Sequence, residues 1–505
     1  MMKAKPMQKV KTFLEKTPNA LLCVLGAVVF LAGFYFLTSR TPLNKIWLPT
    51  TMNNDEVLYN RQVVSVITHG GPQGYFGYQE GTADIGRYGT WGPLLIWAYA
   101  LPGFLFGSSV NVVLWCNLLF ITLGIAAFAR SAKLNWWQCI VLCAGLFAIA
   151  MPIRSCISGA SEAMHYMLAF LIVGSAAALH RTDKTGWLAV CAAACAVETI
   201  FRPYALLFWG FPLTAVWQNK RRRSVCFITA AAGFGVSLFA MTKLAAPYFS
   251  DGGMDFDGVQ MLLQGHPIAA IRYEWIRATA LLGNAWLYDI WPTIKGGKTY
   301  IGGGCVTFLV VVLAAVGCLL WDKRKGRPVV LKACALFCSA AIALVLLTMY
   351  NIDPRHMMLL AILLLGAIVV EDAAPAVVWL PILVVLLLPM NFERGSQPEM
   401  NEVMAAQMTV VEDALAADVQ AAGADPWDNT LAYTYDDGVF HGYLYAVPDG
   451  MGIEFDKNSY LWDAENPIYS RYVMCGHGTR VEERLLAENW QELVSTEDLV
   501  VYKRS

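Results

Sequence analysis

Two neighbouring carboxylates, Asp55 and Glu56, stand in the stretch TTMNNDEVLYNRQVVSVITHG at 50–70, shortly after the first apolar run of the chain. Neighbouring carboxylates cannot both ionise freely at low dielectric, so the pKa of one can rise to a value that suits proton transfer. The structural alternative is that the pair lies in a solvated polar loop or caps a helix that starts near Val57. The side of the membrane that the pair faces bears on this choice.

The chain is predicted to be a polytopic membrane protein. It has 505 residues, of which 57% are hydrophobic and 15% charged. Its apolar runs are near the length that crosses roughly 30 Å of hydrocarbon as a helix. The first run, 19–38, follows a lysine-rich head and is interpreted as an anchor, because it is long for a signal peptide and no small-x-small cleavage site follows it.

Short basic loops predict the topology, because loops rich in Lys and Arg stay in the cytoplasm. Five such segments are the N-terminal head, RSAK at 130–133, HRTDK at 180–184, KRRR at 220–223 and KRKGR at 323–327. If all five segments are on the cytoplasmic side, an even number of crossings must separate each segment from the next. We predict about 11 crossings, near 19–38, 109–129, 137–153, 162–180, 186–200, 204–218, 225–245, 300–320, 329–350, 357–371 and 375–390.

This count predicts two long outer segments, 39–108 and 246–299, and an extracytoplasmic C-terminal tail. Asp55 and Glu56 therefore face outwards. Within the first outer segment, GTWGPLLIWAYALPGFLFG at 89–107 is apolar but contains two prolines, so we expect it to lie along the outer interface. The pair Arg202-Pro203 predicts an outer turn, because proline ends a helix and arginine is costly within lipid.

The tail, residues 391–505, is predicted to be a separate soluble α/β domain, which leaves 1–390 as the membrane domain. It contains 21 Asp/Glu against 7 Lys/Arg, whereas 1–390 contains 17 Asp/Glu against 30 Lys/Arg. Helical spacing over 398–420 and 479–490 alternates with strand-like runs at 430–435, 471–475 and 499–504. Nucleic acid is not expected as a partner, because no basic patch is interleaved with aromatic residues.

The fold class expected is thus a mainly α membrane helix bundle with a small extracytoplasmic C-terminal α/β domain. Together with the acidic pair and the interfacial proline helix, this organisation resembles the GT-C superfamily of membrane glycosyltransferases, which includes protein O-mannosyltransferases and aminoarabinose transferases. The motif NNDEVLYN at 53–60 resembles the acidic motif of the first outer loop. One departure is Trp91-Gly92-Pro93, which stands where many relatives have a basic residue and two prolines.

The resemblance implies inverting transfer of a sugar from a polyprenyl-phosphate donor to an extracytoplasmic glycan, lipid or protein acceptor. Asp55 is predicted to be the general base, and Glu56 to orient the acceptor or the base. Arg355, in YNIDPRHMMLL, suits the donor phosphate because guanidinium presents a planar fork to phosphate oxygens. The alternative for Arg355 is an interfacial arginine that reaches for lipid headgroups. Four further candidates for substrate contact, besides the neighbouring His356, are Glu162, His165, Arg202 and Arg87. The alternative for the first three is that they form structural ion pairs or cap helices.

Two other functions are weighed against this one. A transporter or flippase of lipid-linked glycans favours charges near the middle of the membrane and broken helices in matching halves, whereas these charges concentrate on one face. A non-catalytic scaffold is the second. No metal site or cofactor is predicted. A requirement for a divalent metal is left as an alternative, because the superfamily includes metal-dependent members. The run DGGMDFD at 251–257 is interpreted as an acidic loop rather than a calcium site.

Overall fold

The computed structural model describes residues 17–49, 54–74, 76–81, 85–89, 92–244, 255–295, 303–370, 398–425, 428–434, 439–456 and 459–504. In these ranges the chain is mostly helical and ends in a strand-containing domain, as the sequence predicts. The helices that precede the tail are α1 (Asn19–Ser39), α2 (Asn54–His69), α3 (Leu94–Gly103), α4 (Val112–Ala132), α5 (Trp136–Phe147), α6 (Ala150–Ile157), α7 (Glu162–Thr182), α8 (Thr185–Phe201), α9 (Gly210–Val216), α10 (Lys220–Phe239), α11 (Asp257–Leu263), α12 (Pro267–Ala285), α13 (Trp291–Ile294), α14 (Gly304–Arg324), α15 (Val330–Met349) and α16 (Pro354–Val370).

Six of the described helices are long and apolar enough to cross a membrane: α1, α4, α7, α10 with its π-helical continuation to Leu244, α14 and α15. The bent pair α5 and α6 brings the number to seven. The helices α3, α8 and α16, and the segment Pro203–Val216, are apolar but shorter. The chain is therefore a multi-pass membrane protein. The count of 11 crossings is not confirmed, and the crossing predicted at 375–390 lies outside the described residues.

The crossing predicted at 137–153 is not one straight helix. Helix α5 ends at Phe147, and α6 begins at Ala150 after a bend of 80°. Ile149 has an extended backbone, and Pro152 is the third residue of α6. A proline is tolerated in the first turn of a helix but clashes inside one, so the chain starts a new helix just before Pro152. The bend directs α6 towards α2.

The membrane helices form one apolar core, and small residues allow their close approach. A Cβ added to Gly124 of α4 would lie 2.7 Å from the Cα of Met167 in α7, and one added to Gly174 of α7 would lie 2.3 Å from Ser131 Oγ. Such close backbone contact maximises van der Waals packing where water exclusion cannot drive association. The helices α4 and α7 thereby form the centre of the bundle.

The tail folds as predicted into helices and strands. It contains α17 (Pro398–Ala421), α18 (Arg480–Ala487), and the strands β2 (Thr430–Thr434), β3 (Gly452–Asp456), β4 (Tyr472–Cys475), β5 (Gln491–Ser495) and β6 (Val500–Lys503). With β1 (Phe76–Tyr78), the sheet order is β1-β3-β2-β4-β6-β5, in which β2 pairs in parallel with β3 and β4, and β6 pairs antiparallel with β4 and β5.

The edge strand β1 (Phe76–Tyr78) comes from the first long segment, not from the tail. It pairs in parallel with β3, with Phe76 opposite Ile453. Arg61 of α2 also donates hydrogen bonds to the carbonyls of Val447, Pro448 and Met451. The tail and the 39–108 segment therefore lie on the same face of the bundle, a relation that the parity of crossings also predicts. That this face is extracytoplasmic stays a prediction.

Candidate active site

Helix α2 is held between the membrane bundle and the C-terminal domain. Its Val57 belongs to the core of the C-terminal domain, whereas Val63 and Val66 belong to the core of the bundle. Asp55 and Glu56 lie in its first turn, where the helix dipole favours negative charge. The Glu56 side chain is fully buried, but 34% of the Asp55 side chain is exposed. Of the acidic pair, Asp55 is thus the member that solvent and a ligand can reach.

Arg355, in the first turn of α16, links Asp55 to the membrane helices. Its Nη1 lies 3.5 Å from Asp55 Oδ2 and 4.0 Å from an oxygen of Glu162. Its Nε and Nη2 face Asp353, with Nη2 3.1 Å from Oδ2. Asp353 also accepts a hydrogen bond from the Arg355 backbone N–H at 2.8 Å, so it caps the helix and orients the guanidinium together.

Arg202 occupies the other side of Glu162, at the end of α8. Its Nη2 is 3.4 Å from Glu162 Oε1, and its Nη1 is 3.1 Å from both Tyr204 Oη and His356 Nδ1. Tyr204 Oη lies 2.6 Å from the same His356 nitrogen. Because a guanidinium can only donate, His356 Nδ1 accepts, which assigns the neutral imidazole with its proton on Nε2. Arg202 has the extended backbone expected before a proline.

These groups form what we call the charged cluster, at which the ends of α2, α7, α8 and α16 meet. Its members are Asp55, Glu162, Arg202, Asp353, Arg355 and His356. It combines three carboxylates with two guanidinium groups and a neutral imidazole. The sequence predicted five of these six residues as candidates, and the structure brings those five together.

Glu56 points away from the open side of the cluster and pairs with Arg154 of α6. The Arg154 side chain is only 5% exposed. Gly159 lies against the same turn, and a Cβ there would be 2.3 Å from the Glu56 carbonyl oxygen. This buried pair fixes the start of α2 against α6, so Glu56 holds Asp55 in position from within the protein.

His165 lies one turn further along α7 than Glu162, facing α8. Its Nδ1 is 2.9 Å from both carboxylate oxygens of Glu198, and both side chains are buried. Arg87 is exposed in the segment 85–89, and the ion pairs of the cluster do not include it among the described residues. Over the same ranges, no group of three or more His, Cys, Asp and Glu side chains could hold a metal ion.

The two aspartates that flank Arg355 have pKa values displaced in opposite directions. Burial raises the pKa of Asp55, and the Arg355 charge only partly opposes that rise. Burial acts on Asp353 in the same sense, but the Arg355 charge and hydrogen bonds outweigh it and hold the pKa of Asp353 below its ordinary value. Asp353 therefore stays ionised beside Arg355, whereas Asp55 is the more basic carboxylate.

Four contacting residues were not predicted: Asp353, Tyr204, Arg154 and Glu198. Asp353 carried a signal, since an Asp directly before proline is a common start for a helix. Glu198 stands four residues before Arg202, a spacing that puts both on one face of a helix. Arg154 gave no comparable signal, because its partner Glu56 is distant in the sequence. Tyr204 contacts the neighbouring Arg202, but nothing in the sequence indicated its contact with the distant His356.

Comparisons with known proteins give structural matches but no match by sequence. No family model matches the chain, and no curated protein matches it. The crystal structure of ArnT from Cupriavidus metallidurans bound to undecaprenyl phosphate is similar over 95% of this chain and 97% of that chain, with 13% sequence identity and a TM-score of 0.44.

Proposed function

We propose that this protein is a membrane glycosyltransferase that moves a sugar from a polyprenyl-phosphate donor to an acceptor at the outer face of the membrane. The observation that carries the proposal is the partly exposed Asp55 carboxylate, 3.5 Å from Arg355, where membrane helices end. A proton acceptor and a phosphate-binding cation thus lie side by side at the level where a lipid-linked donor presents its phosphate.

In the proposed step, an acceptor hydroxyl attacks the anomeric carbon of the donor sugar. Asp55 takes the hydroxyl proton as the new carbon–oxygen bond forms. The bond between the anomeric carbon and the phosphate oxygen breaks, and polyprenyl phosphate leaves with the electron pair. A single displacement of this kind inverts the anomeric configuration.

Arg355 is proposed to bind the donor phosphate through Nη1. Its Nε and Nη2 are directed at Asp353, which leaves Nη1 facing Asp55 and Glu162. A phosphate at Nη1 would stand beside the base, and charge-assisted hydrogen bonds to it would strengthen as negative charge develops on the leaving group.

The remaining candidates are proposed to support these two groups. Arg202 holds Glu162 on one side and His356 on the other, and His165 with Glu198 extends the polar contacts one turn deeper. Glu56 positions Asp55 through its pair with Arg154. Arg87, outside the cluster, has no role in this proposal.

The test uses purified protein in nanodiscs, a polyprenyl phosphate labelled on its sugar, and an extract that contains candidate acceptors. We expect the label to move from the lipid to an acceptor. A protein reconstituted in vesicles that carries the labelled lipid between leaflets, without cleaving its sugar–phosphate bond, would instead be a transporter. That result would refute the enzyme proposal.

A further inference from the structure

We infer that helix α12, in the second long segment, lies in the membrane interface with one face inserted among lipid headgroups and the upper acyl chains. The residues on that face are Ile268, Ile271, Trp275 and Leu282, followed by Trp286 after the helix end. Between 47% and 83% of each residue is exposed. This inference is independent of the proposed enzymatic activity.

The apolar residues form one stripe. At 100° per residue, Ile268, Ile271, Trp275 and Leu282 fall within an arc of about 60° around the helix axis. Leu262 and Leu263 of α11, 58% and 82% exposed, precede the stripe. Soluble surfaces rarely display contiguous apolar patches on this scale, so the stripe indicates a surface that is covered.

The opposite face of α12 fixes its level relative to the bundle. Arg277 donates hydrogen bonds to the carbonyls of Thr348 and Tyr350, at the end of the membrane helix α15. Arg277 also pairs with Asp255 at 2.6 Å, and the Asp255 N–H bonds to the Met349 carbonyl. Helix α12 is therefore attached at the height at which α15 leaves the hydrocarbon.

Bilayer lipid is the occupant that this position favours. Trp275, Trp286 and the nearby Trp291 have the amphipathic rings that concentrate at headgroup level. Arg272, exposed beside the stripe, is suited to reach lipid phosphates. A helix held at the end of a membrane span, with an apolar face and flanking tryptophans, meets lipid before it meets any soluble partner.

The experiment measures spin-label accessibility in nanodiscs of phosphatidylethanolamine and phosphatidylglycerol. Labels at Ile271→Cys and Trp275→Cys report on the stripe, and all 13 native cysteines are buried, so the introduced thiols react preferentially. Leu344→Cys, on an exposed position of α15, is the lipid control. Leu486→Cys, an exposed leucine of α18 in the C-terminal domain, is the water control.

We expect the stripe labels to collide with oxygen far more often than with a water-soluble nickel complex, by a ratio several-fold above that at Leu486→Cys and close to that at Leu344→Cys. Accessibility to nickel equal to that at Leu486→Cys would overturn the inference. Spin–spin broadening at Trp275→Cys would overturn it as well, because the stripe would then face a second copy of the chain.

Discussion

Two groups of charges lie at opposite ends of the membrane bundle, and they differ in how far they are buried. At one end is the charged cluster around Arg355. At the other, Lys332 and Asp322 pair at 2.7 Å with both side chains fully buried, and we call them the distal pair. Helix α14 separates the two, since Gly304 contacts Pro354 and Asp322 lies 18 residues further, about 27 Å along the helix.

Both side chains of the distal pair are fully buried, whereas the charged cluster includes a partly exposed carboxylate. Lys332 and Asp322 match in number and face each other, and Arg327, 3.6 Å from Asp322, lies at the surface. The cluster has more carboxylates than guanidinium groups, and its most exposed carboxylate is Asp55. A fully buried pair of opposite charges specifies how two helices pack, but a partly exposed cluster leaves a base that a ligand can reach.

The largest effect is expected from Asp55→Asn, which keeps the size of the side chain but removes its basicity. Loss of a general base costs about 10²- to 10⁴-fold in rate. Transfer from a labelled polyprenyl-phosphate sugar measures it, with protein accumulation and donor binding as controls. Glu56→Gln, the matched change at the neighbouring carboxylate, should be milder because Glu56 acts through Arg154. Full transfer by the Asp55→Asn protein would exclude Asp55 as the base.

Substitutions in the distal pair should change the stability of the protein rather than its rate of transfer. Lys332→Met leaves Asp322 buried without its close partner, which costs about 3 to 5 kcal/mol of unfolding free energy. Adding Asp322→Leu should restore most of this, because two apolar side chains replace two charges. Thermal unfolding in detergent measures both variants. If the transfer rate per folded molecule of the Lys332→Met protein falls as far as that of Asp55→Asn, the distinction between the two groups is wrong.

A smaller effect is expected from Arg355→Ala. Losing a charge-assisted contact to the donor phosphate should cost about 1.5 to 3 kcal/mol. The apparent affinity for the donor should therefore fall more than the apparent affinity for the acceptor. Arg327→Ala, an arginine beside the distal pair, is the matched control and should change neither. If Arg355→Ala leaves donor dependence unchanged, Arg355 is an interfacial arginine instead.

The smallest effect is a displacement of the pH profile. Asp55 must be ionised to act, so the rate should fall as the pH drops through its raised pKa, above the ordinary aspartate value of about 3.9. Asp353→Asn removes a neighbouring negative charge and should move this acid limb to lower pH. Arg355→Gln removes a positive charge and should move it to higher pH. Rates measured at saturating donor test the signs, and shifts in the reverse directions would argue against Asp55 as the titrating group.

The sequence by itself determined the features that depend on local patterns. Apolar runs of sufficient length predicted the membrane helices, because the hydrocarbon demands a continuous apolar surface and internal hydrogen bonding. Periodicity predicted α17, α18 and three of the tail strands. Residue type and position at helix ends, together with the resemblance to membrane glycosyltransferases, predicted Asp55 and Arg355 as site candidates, because buried charges are costly within lipid and collect where helices leave it.

Only the tertiary structure decided which of these ends meet. The pairing of β1 with β3 joins residues more than 370 positions apart, and a three-residue strand leaves no periodicity to detect. The bend before Pro152 brings Arg154 to Glu56, and that bend depends on how α5 and α6 pack. The Asp55 side chain is partly exposed and the Glu56 side chain is buried, because adjacent side chains on a helix point about 100° apart. Only the surrounding helices determine which of the two directions faces solvent.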